Sequence, residues 1–247
     1  MSRHALLAAL HANLAPRTYL EIGVRDGRSL TLSRATTIGV DPAFEVTSPV
    51  ACDLRLVKAT SDEFFAAADA REHFAGLPVD LAFIDGLHHA EFAYRDFFNT
   101  EAWCGPASVI VLDDVMPRTA DEASRAGGDG VQAGDVFKAV EIIRERRPDL
   151  TVIPVNTRRT GMLVVLGVDP TSTVLRDCYD EVVARLESDD PQSVPDHVLR
   201  RTGAVDAAAL AASPIWARLL ELRDRGADRA DVAAAIAEIG GPVTRRS

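Results

Sequence analysis

The chain has 247 residues, of which 47% are hydrophobic and 26% are charged, and these proportions fit one large globular domain or one domain with a helical appendage. Its formal net charge of −10 argues against nucleic acid or an anionic membrane surface as a partner. The three cysteines, Cys52, Cys104 and Cys178, lie far apart, and no apolar run is long enough to cross a membrane. We therefore expect a protein of the reducing cytoplasm.

Helical spacing over residues 3–14 precedes a short strand and a glycine turn, Gly23 to Gly27, after which a helix is expected to begin. The turn lacks the middle glycine of the dinucleotide motif, which favours a smaller ligand with an amino-acid-like end. A second strand, Thr37–Val40, ends in Asp41, about eighteen residues after the turn, where α/β proteins of this kind hold a ribose diol. The alternative is that Asp41, followed by proline, only opens a turn.

A weak third strand is predicted at residues 55–59. Thr60 and Glu63 then have the spacing of a capping box, which predicts a helix that continues to about Phe74. Two strongly apolar runs follow, one from Val79 and one ending near Leu112, with a helical segment between them. This alternation is typical of two parallel strands joined by a helix.

Both apolar runs end in carboxylates: Asp85 follows the first, and Asp113 and Asp114 follow the second. If the strands are neighbours, the three side chains converge at one edge of the sheet, with nothing basic between them. Such a cluster must be solvated, protonated or bound to a cation, and oxygen ligands favour Mg²⁺ or Mn²⁺. His88 lies three residues after Asp85, within reach of a molecule bound to that ion. Because successive strand residues point to opposite faces, Asp113 and Asp114 can share an ion only if the chain bends there.

The long segment at about 116–131 has no periodicity and directly follows these carboxylates, which favours a lid. Asp135 is expected to cap the next helix, and residues 150–155 and 161–166 to form an antiparallel hairpin at the sheet edge. No strand pattern remains after residue 169. The tail is predicted to form amphipathic helices that cap the pocket, support a homo-oligomer or complete the core. The expected division is a domain over residues 1–168 and a C-terminal helical extension over 169–247.

The ordered motifs resemble those of class I S-adenosylmethionine-dependent methyltransferases. More narrowly, they resemble the metal-dependent O-methyltransferases that modify sugars of macrolides and related natural products, and more distantly catechol O-methyltransferases. The resemblance covers about residues 17–167 and implies an α/β, Rossmann-like, doubly wound sheet of seven strands. It rests on Glu21-x-Gly23-x-x-x-Gly27, Asp41, Ser61-Asp-Glu-Phe-Phe, Ile84-Asp-Gly-x-His88, Val111-Leu-Asp-Asp-Val115 and Gly134-Asp-Val-Phe-Lys138.

The resemblance also implies roles for individual residues. His88 would be the general base, in a position where the catechol enzymes carry lysine. Those enzymes also have asparagine as the last metal ligand, where this chain has Asp114, so the pattern favours an aliphatic diol such as a sugar. The remaining roles are as follows: Glu21, Gly23, Gly27 and Ser29 at the methionine end of the donor, Asp41 on the ribose, Thr60 and Ser61 beside the adenine, and Asp85, Asp113 and Asp114 as Mg²⁺ ligands, with Asp85 also beside the donor.

Other functions stay open at this point. A phenolic acceptor, or a non-catalytic protein that binds S-adenosylmethionine, would keep the same motifs. A nicotinamide-dependent oxidoreductase would share the sheet, but the glycine pattern is wrong and there is no Tyr-x-x-x-Lys pair. An iron oxygenase could formally use His89, Glu91 and His197, although such triads need a β-barrel.

Overall fold

A computed structural model describes residues 1–126 and 130–243, and the core of the molecule is a single mixed sheet. Its eight strands are β1 (Thr18–Ile22), β2 (Thr36–Val40), β3 (Asp53–Val57), β4 (Val79–Ile84), β5 (Cys104–Asp113), β6 (Thr151–Asn156), β7 (Met162–Leu166) and β8 (Val205–Asp206). They lie in the order β3-β2-β1-β4-β5-β7-β6-β8. β1 to β5 pair in parallel, and β7 runs antiparallel to both β5 and β6.

Helices cover both faces of this sheet. They are α1 (Arg3–Leu14), α2 (Ser61–Ala66), α3 (Ala90–Glu101), α4 (Phe137–Arg146), α5 (Val174–Asp177), α6 (Tyr179–Leu186), α7 (Asp196–Leu199), α8 (Ala207–Ala211), α9 (Ile215–Asp224) and α10 (Arg229–Val243). The apolar side chains of α1, α8, α9 and α10 pack against one face, and those of α2 to α6 against the other. The predicted doubly wound α/β architecture is confirmed.

The sheet has one strand more than the seven expected. The two-residue β8 comes from the tail and pairs in parallel with β6, so the antiparallel hairpin of β6 and β7 lies one strand in from the edge. A strand of two residues is too short to produce an alternating pattern, and the sequence therefore gave no sign of it.

One predicted helix is absent, and another is shorter than predicted. The glycine turn leads only into a 3₁₀ turn, Leu30–Leu32, because the residues after β1 form the turn itself and few remain before β2 begins. The helix that starts at the Thr60 capping box ends at Ala66 instead of continuing to Phe74, and a separate 3₁₀ turn, Glu72–Phe74, follows. The capping box itself is confirmed: Glu63 N donates to Thr60 Oγ1 at 3.2 Å, and Thr60 N donates to Glu63 Oε2 at 2.9 Å.

Asp135 does not cap the helix that follows it. Its Oδ1 instead accepts a hydrogen bond from the Ala90 N–H at 2.8 Å, at the first turn of α3. Its Oδ2 pairs with Arg125 and with Lys138, both at 2.9 Å. Asp135 therefore ties the segment after β5 to the start of the helix that follows β4.

The tail completes the core. α9 packs on α1 and on β5, and α10 packs on α9 and β5, covering the sheet face that the missing helix after β1 leaves open. α5 and α6 pack on the opposite side, against α3 and α4. Trp216 on α9 is 1% exposed, and its indole N–H donates to the Leu210 carbonyl at 2.6 Å. Among the described residues, no helix is both long and apolar enough to cross a membrane.

The packing of the tail predicts a large effect at Trp216. Trp216→Ala should lower the free energy of unfolding by about 3–5 kcal/mol, because it leaves a large cavity under α9. Urea unfolding followed by circular dichroism measures this. Val174→Ala, at a site 46% exposed on α5, is the matched control and should change it by less than about 0.5 kcal/mol. Equal stability of the Trp216 variant and the unmodified protein would contradict the role of the tail in the core.

Candidate active site

A cavity of about 550 Å³ opens at the carboxyl ends of β1, β2 and β4, which is a usual size for a small-molecule site. The segments that follow these three strands line it, together with the first turn of α1 and the start of α2. Of the residues predicted to bind the donor, those that line the cavity are Gly23, Ser29, Asp41, Thr60, Ser61 and Asp85. Glu21 and Gly27 do not line it.

Gly23 fixes the distance between the glycine turn and the end of β4. Its φ is +87°, and a Cβ at this position would lie 1.9 Å from the Asp85 carbonyl oxygen. The Gly23 N–H donates to the Val40 carbonyl at 2.8 Å, and the Asp85 N–H donates to the Ile22 carbonyl at 2.8 Å. Only glycine allows both the backbone angle and the close approach. The glycine turn and the first carboxylate are therefore held together by backbone contacts.

Glu21 lies behind Ser29 and has no exposed surface. Its carboxylate accepts hydrogen bonds from the Ser29 hydroxyl at 2.6 Å and from the Tyr19 hydroxyl at 2.7 Å. Burial raises the pKa of Glu21 to about 8, although both hydrogen bonds oppose this shift. Any effect of Glu21 on a ligand is exerted through Ser29, which does line the cavity.

Asp41 connects the end of β2 to the glycine turn. Its Oδ2 accepts from the N–H groups of Val24 at 3.0 Å and Arg25 at 2.8 Å, and its Oδ1 accepts from the Ala43 N–H at 2.7 Å. Asp41 thus opens a turn, as the simpler interpretation expected, and it also lines the cavity. Each carboxylate oxygen can accept two hydrogen bonds, so Oδ1 retains capacity for a ligand hydroxyl. The ribose assignment stays a prediction.

Asp85 and Asp114 converge with His88, whereas Asp113, the third predicted metal ligand, is not part of this group. The register pairs Ile84 with Leu112, so Asp85 and Asp113 each follow the last paired residue of neighbouring strands. His88 Nε2 lies 3.3 Å from Asp85 Oδ1 and 3.0 Å from Asp114 Oδ2. One ligand atom from each of Asp85, His88 and Asp114 can be chosen so that all three lie within 4.8 Å of one another.

The bend that adjacent Asp113 and Asp114 require is present. β5 ends at Asp113, and Asp114 has a φ of +62°, in the left-handed region that non-glycine residues seldom adopt. This conformation turns the Asp114 carboxylate towards His88 and away from the opposite face of the sheet. Both side chains are almost fully buried.

An arginine that the sequence interpretation missed lies among these carboxylates. Arg3 Nη1 donates to Asp85 Oδ2 at 2.9 Å and also to Asp113 Oδ2. The assumption that nothing basic lies between the carboxylates is therefore wrong, because α1 brings Arg3 to them from the N-terminus. The sequence holds no local signal for this contact, since 82 residues separate Arg3 from Asp85.

Burial and mutual repulsion shift the protonation of this cluster. Burial raises the pKa of both Asp113 and Asp114 to about 6, and it raises the pKa of Asp85 as well. Burial alone would lower the pKa of His88, but the hydrogen bond to Asp85 and the charge of Asp114 raise it to about 9. This differs from the near-neutral value expected for an isolated histidine, because the neighbouring negative charges favour imidazolium.

The segment after the predicted lid orients the His88 ring. His88 Nδ1 lies 3.1 Å from the Gln132 carbonyl, to which it can only donate, so Nε2 is the nitrogen that faces the carboxylates. A Cβ on Gly134 would lie 1.7 Å from the His88 carbonyl oxygen. No described residue of 116–131 lines the cavity, and residues 127–129 of this segment lie outside the described part of the chain. The assignment of a lid stays a prediction.

Asp96 on α3 is a second residue that the sequence interpretation missed. It is 2% exposed and lines the cavity, and its Oδ1 has no hydrogen-bond partner. Burial raises its pKa to about 7. The available signal was an aspartate next to Phe97 and Phe98, which the helical spacing places on the buried side of α3.

The alternative iron triad is not assembled. His197 pairs with Glu141 on α4 at 3.2 Å, whereas Glu91 pairs with Arg125 at 2.6 Å. Within residues 1–126 and 130–243, the group of Asp85, His88 and Asp114 is the one cluster of three or more acidic, histidine or cysteine side chains with metal-ligand spacing. The carboxylate oxygens of this group are the ligands that a hard divalent cation prefers, whereas an imidazole suits metals such as Zn²⁺.

Residues 20–115 match a family model described as a methyltransferase domain. This stretch is less than half of the chain, but it includes the glycine turn, Asp41, His88 and all three carboxylates of the cluster. No curated protein matches the chain. Over these residues the chain is similar to a methyltransferase domain, in agreement with the resemblance that the motifs predicted.

Solved structures resemble the chain at low identity. An O-methyltransferase from Bacillus cereus in complex with SAH has 18% identity, covers 66% of this chain and 80% of that chain, and gives a TM-score of 0.48. The O-methyltransferase TomG from Streptomyces achromogenes has 19% identity, 66% and 78% coverage and a TM-score of 0.48. The N-methyltransferase NodS from Bradyrhizobium japonicum WM9 has 15% identity, 66% and 92% coverage and a TM-score of 0.41.

The raised pKa of Glu21 predicts that the folded protein becomes less stable as the pH rises. The folded protein binds this proton more tightly than the unfolded chain, so the free energy of unfolding falls as the pH rises from about 4.5 to about 8. Glu21→Gln removes the titrating group and should stabilise the protein at pH 8 by on the order of 2 kcal/mol, with little change at pH 4.5. Urea unfolding at the two pH values measures this difference, and the exposed Glu45→Gln variant is the control. An effect of equal size at both pH values would show that Glu21 is ionised in the folded protein.

Proposed function

We propose that this protein is a Mg²⁺-dependent O-methyltransferase that transfers a methyl group from S-adenosylmethionine to a hydroxyl of a sugar or a sugar-containing natural product. The convergence of Asp85 and Asp114 on His88 Nε2, next to a cavity that Asp85, His88 and the glycine turn line, carries this proposal. The methyltransferase family match supports the donor. Mn²⁺ would serve in place of Mg²⁺ with the same ligands.

The cavity divides into parts that suit the parts of the donor. Gly23 packs on the Asp85 carbonyl, and its backbone and Ser29 would bind the methionine portion. Asp41 follows β2 and would accept from ribose hydroxyls at its Oδ1, and Thr60 and Ser61 would bind the adenine. In this orientation the sulfonium and its methyl group would lie towards Asp85 and His88.

The acidic cluster would bind the acceptor through a divalent cation. Asp85, Asp113 and Asp114 would hold Mg²⁺, which would supply Lewis acidity to two neighbouring oxygens of the acceptor. Because the negative charge of these carboxylates raises the pKa of His88, neutralising that charge lowers the pKa towards the ordinary value of histidine. A neutral His88 can then act as a base.

His88 would accept the proton of the acceptor hydroxyl. The O–H bond of the acceptor breaks, and its proton passes to His88 Nε2 while the Gln132 carbonyl holds the opposite ring nitrogen. The oxygen forms a bond to the methyl carbon as the carbon–sulfur bond breaks. The electron pair remains on sulfur and leaves S-adenosylhomocysteine. Positioning of the two substrates in line supplies much of the rate enhancement.

A methyl-transfer assay tests this function. Chelator-treated protein is incubated with S-adenosylmethionine and either glycosides with vicinal hydroxyls or a catechol, with and without Mg²⁺, and release of S-adenosylhomocysteine is measured. We expect turnover of a glycoside only when Mg²⁺ is present. Turnover of catechol alone would replace the proposed acceptor class. Full turnover of a glycoside in the chelated protein would contradict the metal requirement.

His88→Ala separates proton transfer from donor binding. The variant should reduce turnover by about 10²–10⁴-fold, because the base is lost. Its affinity for S-adenosylhomocysteine, measured by calorimetric titration, should stay within about threefold of that of the unmodified protein, since His88 faces the carboxylates. His197→Ala, which changes an exposed histidine paired with Glu141, is the matched control. Unchanged turnover in His88→Ala would remove His88 from the mechanism.

A further inference from the structure

Arg3 contacts two of the three carboxylates that are predicted to bind the metal. A single nitrogen of its guanidinium, Nη1, donates to one oxygen of Asp85 and to one oxygen of Asp113, on neighbouring strands. The two carboxylate side chains are 14% and 2% exposed, and that of Arg3 is 35% exposed. Because a buried carboxylate without a partner is costly, Arg3 stabilises this pair in the absence of any other cation.

The position of Arg3 is fixed by the surrounding chain. Ser2 caps α1 by accepting a hydrogen bond from the Ala5 N–H at 3.2 Å, and the Met1 carbonyl accepts from the Arg158 N–H at 2.9 Å. Leu6 and Leu7, on the next turn of the helix, have no exposed surface. The helix is therefore anchored on both sides of Arg3, and only the side chain is free to move away from the carboxylates.

The guanidinium and a divalent cation cannot use these oxygens together. Arg3 carries a permanent charge: burial alone would lower its pKa, but Asp85 and Asp113 raise it above its ordinary value. Two positive groups a few ångströms apart in a poorly solvated site repel strongly. Arg3 can leave because its side chain is long and reaches the cavity, which it also lines.

We propose that Arg3 is an internal counter-ion that competes with the divalent cation for Asp85 and Asp113 and so sets the affinity of the site for metal. The inference rests on the metal site of the proposed function. In the metal-free protein Arg3 bridges the two strand ends, and binding of the metal displaces its side chain into the cavity.

Binding of Mn²⁺, followed by the loss of the electron paramagnetic resonance signal of the free ion, tests the competition without any need for turnover. Arg3→Gln should lower the dissociation constant for Mn²⁺ by about tenfold or more, because the competing charge is gone. It should also lower the melting temperature of the chelated protein and increase the rise in melting temperature that Mn²⁺ produces. Arg3→Lys, which keeps the charge but not the planar fork, should give an intermediate dissociation constant.

Arg28→Gln is the matched control. Arg28 lines the same cavity but pairs with Asp26 at 2.7 Å instead of with the cluster, so the control tests the loss of a nearby charge alone. A dissociation constant for Arg3→Gln within twofold of that of the unmodified protein, or an equal change in Arg28→Gln, would overturn the inference and leave the metal site intact. If neither the unmodified protein nor Arg3→Gln binds Mn²⁺ while both bind S-adenosylhomocysteine, the metal site of the proposed function fails as well.

Discussion

The negative charge that accumulates where β4 and β5 end is the constraint on which the rest of the site depends. Asp85, Asp113 and Asp114 are largely buried, and burial raises the pKa of each. Such a cluster persists only if positive charge is placed against it. The chain supplies Arg3 on one side and His88 on the other, and it bends at Asp114 into a left-handed conformation that brings the third carboxylate to His88. Arg3, His88 and the bend at Asp114 together place positive charge next to the three largely buried carboxylates.

The glycine turn, the acidic cluster and His88 are joined by close contacts between backbone atoms. The Asp85 backbone is hydrogen-bonded to β1, and Gly23 leaves no space between the glycine turn and the Asp85 carbonyl. On the other side, Gly134 packs equally closely on the His88 carbonyl. Methyl transfer needs the sulfonium, the acceptor oxygen and the base in a fixed relation, and contacts between backbone atoms maintain such a relation better than flexible side chains do.

Much of this arrangement could be predicted from the sequence, because strand ends and glycine turns have local signals. The apolar runs that end in Asp85 and Asp113 predict neighbouring parallel strands, and their register confirms it. Arg3 could not be found in this way, since its partners depend on how α1 packs across the sheet. The helix predicted after the glycine turn is absent, and α9 and α10 from the far end of the chain cover that face instead. Packing between segments that are far apart in the chain leaves no periodicity in the local sequence.

Anomalous diffraction from crystals grown with Mn²⁺ and S-adenosylhomocysteine tests the metal-assisted site most directly. A single manganese peak is expected roughly 2–2.5 Å from carboxylate oxygens of Asp85, Asp113 and Asp114, with the nucleoside in the cavity beside Gly23 and Asp41. Absence of a peak at these carboxylates, in crystals where the nucleoside is bound, would contradict a metal-assisted mechanism.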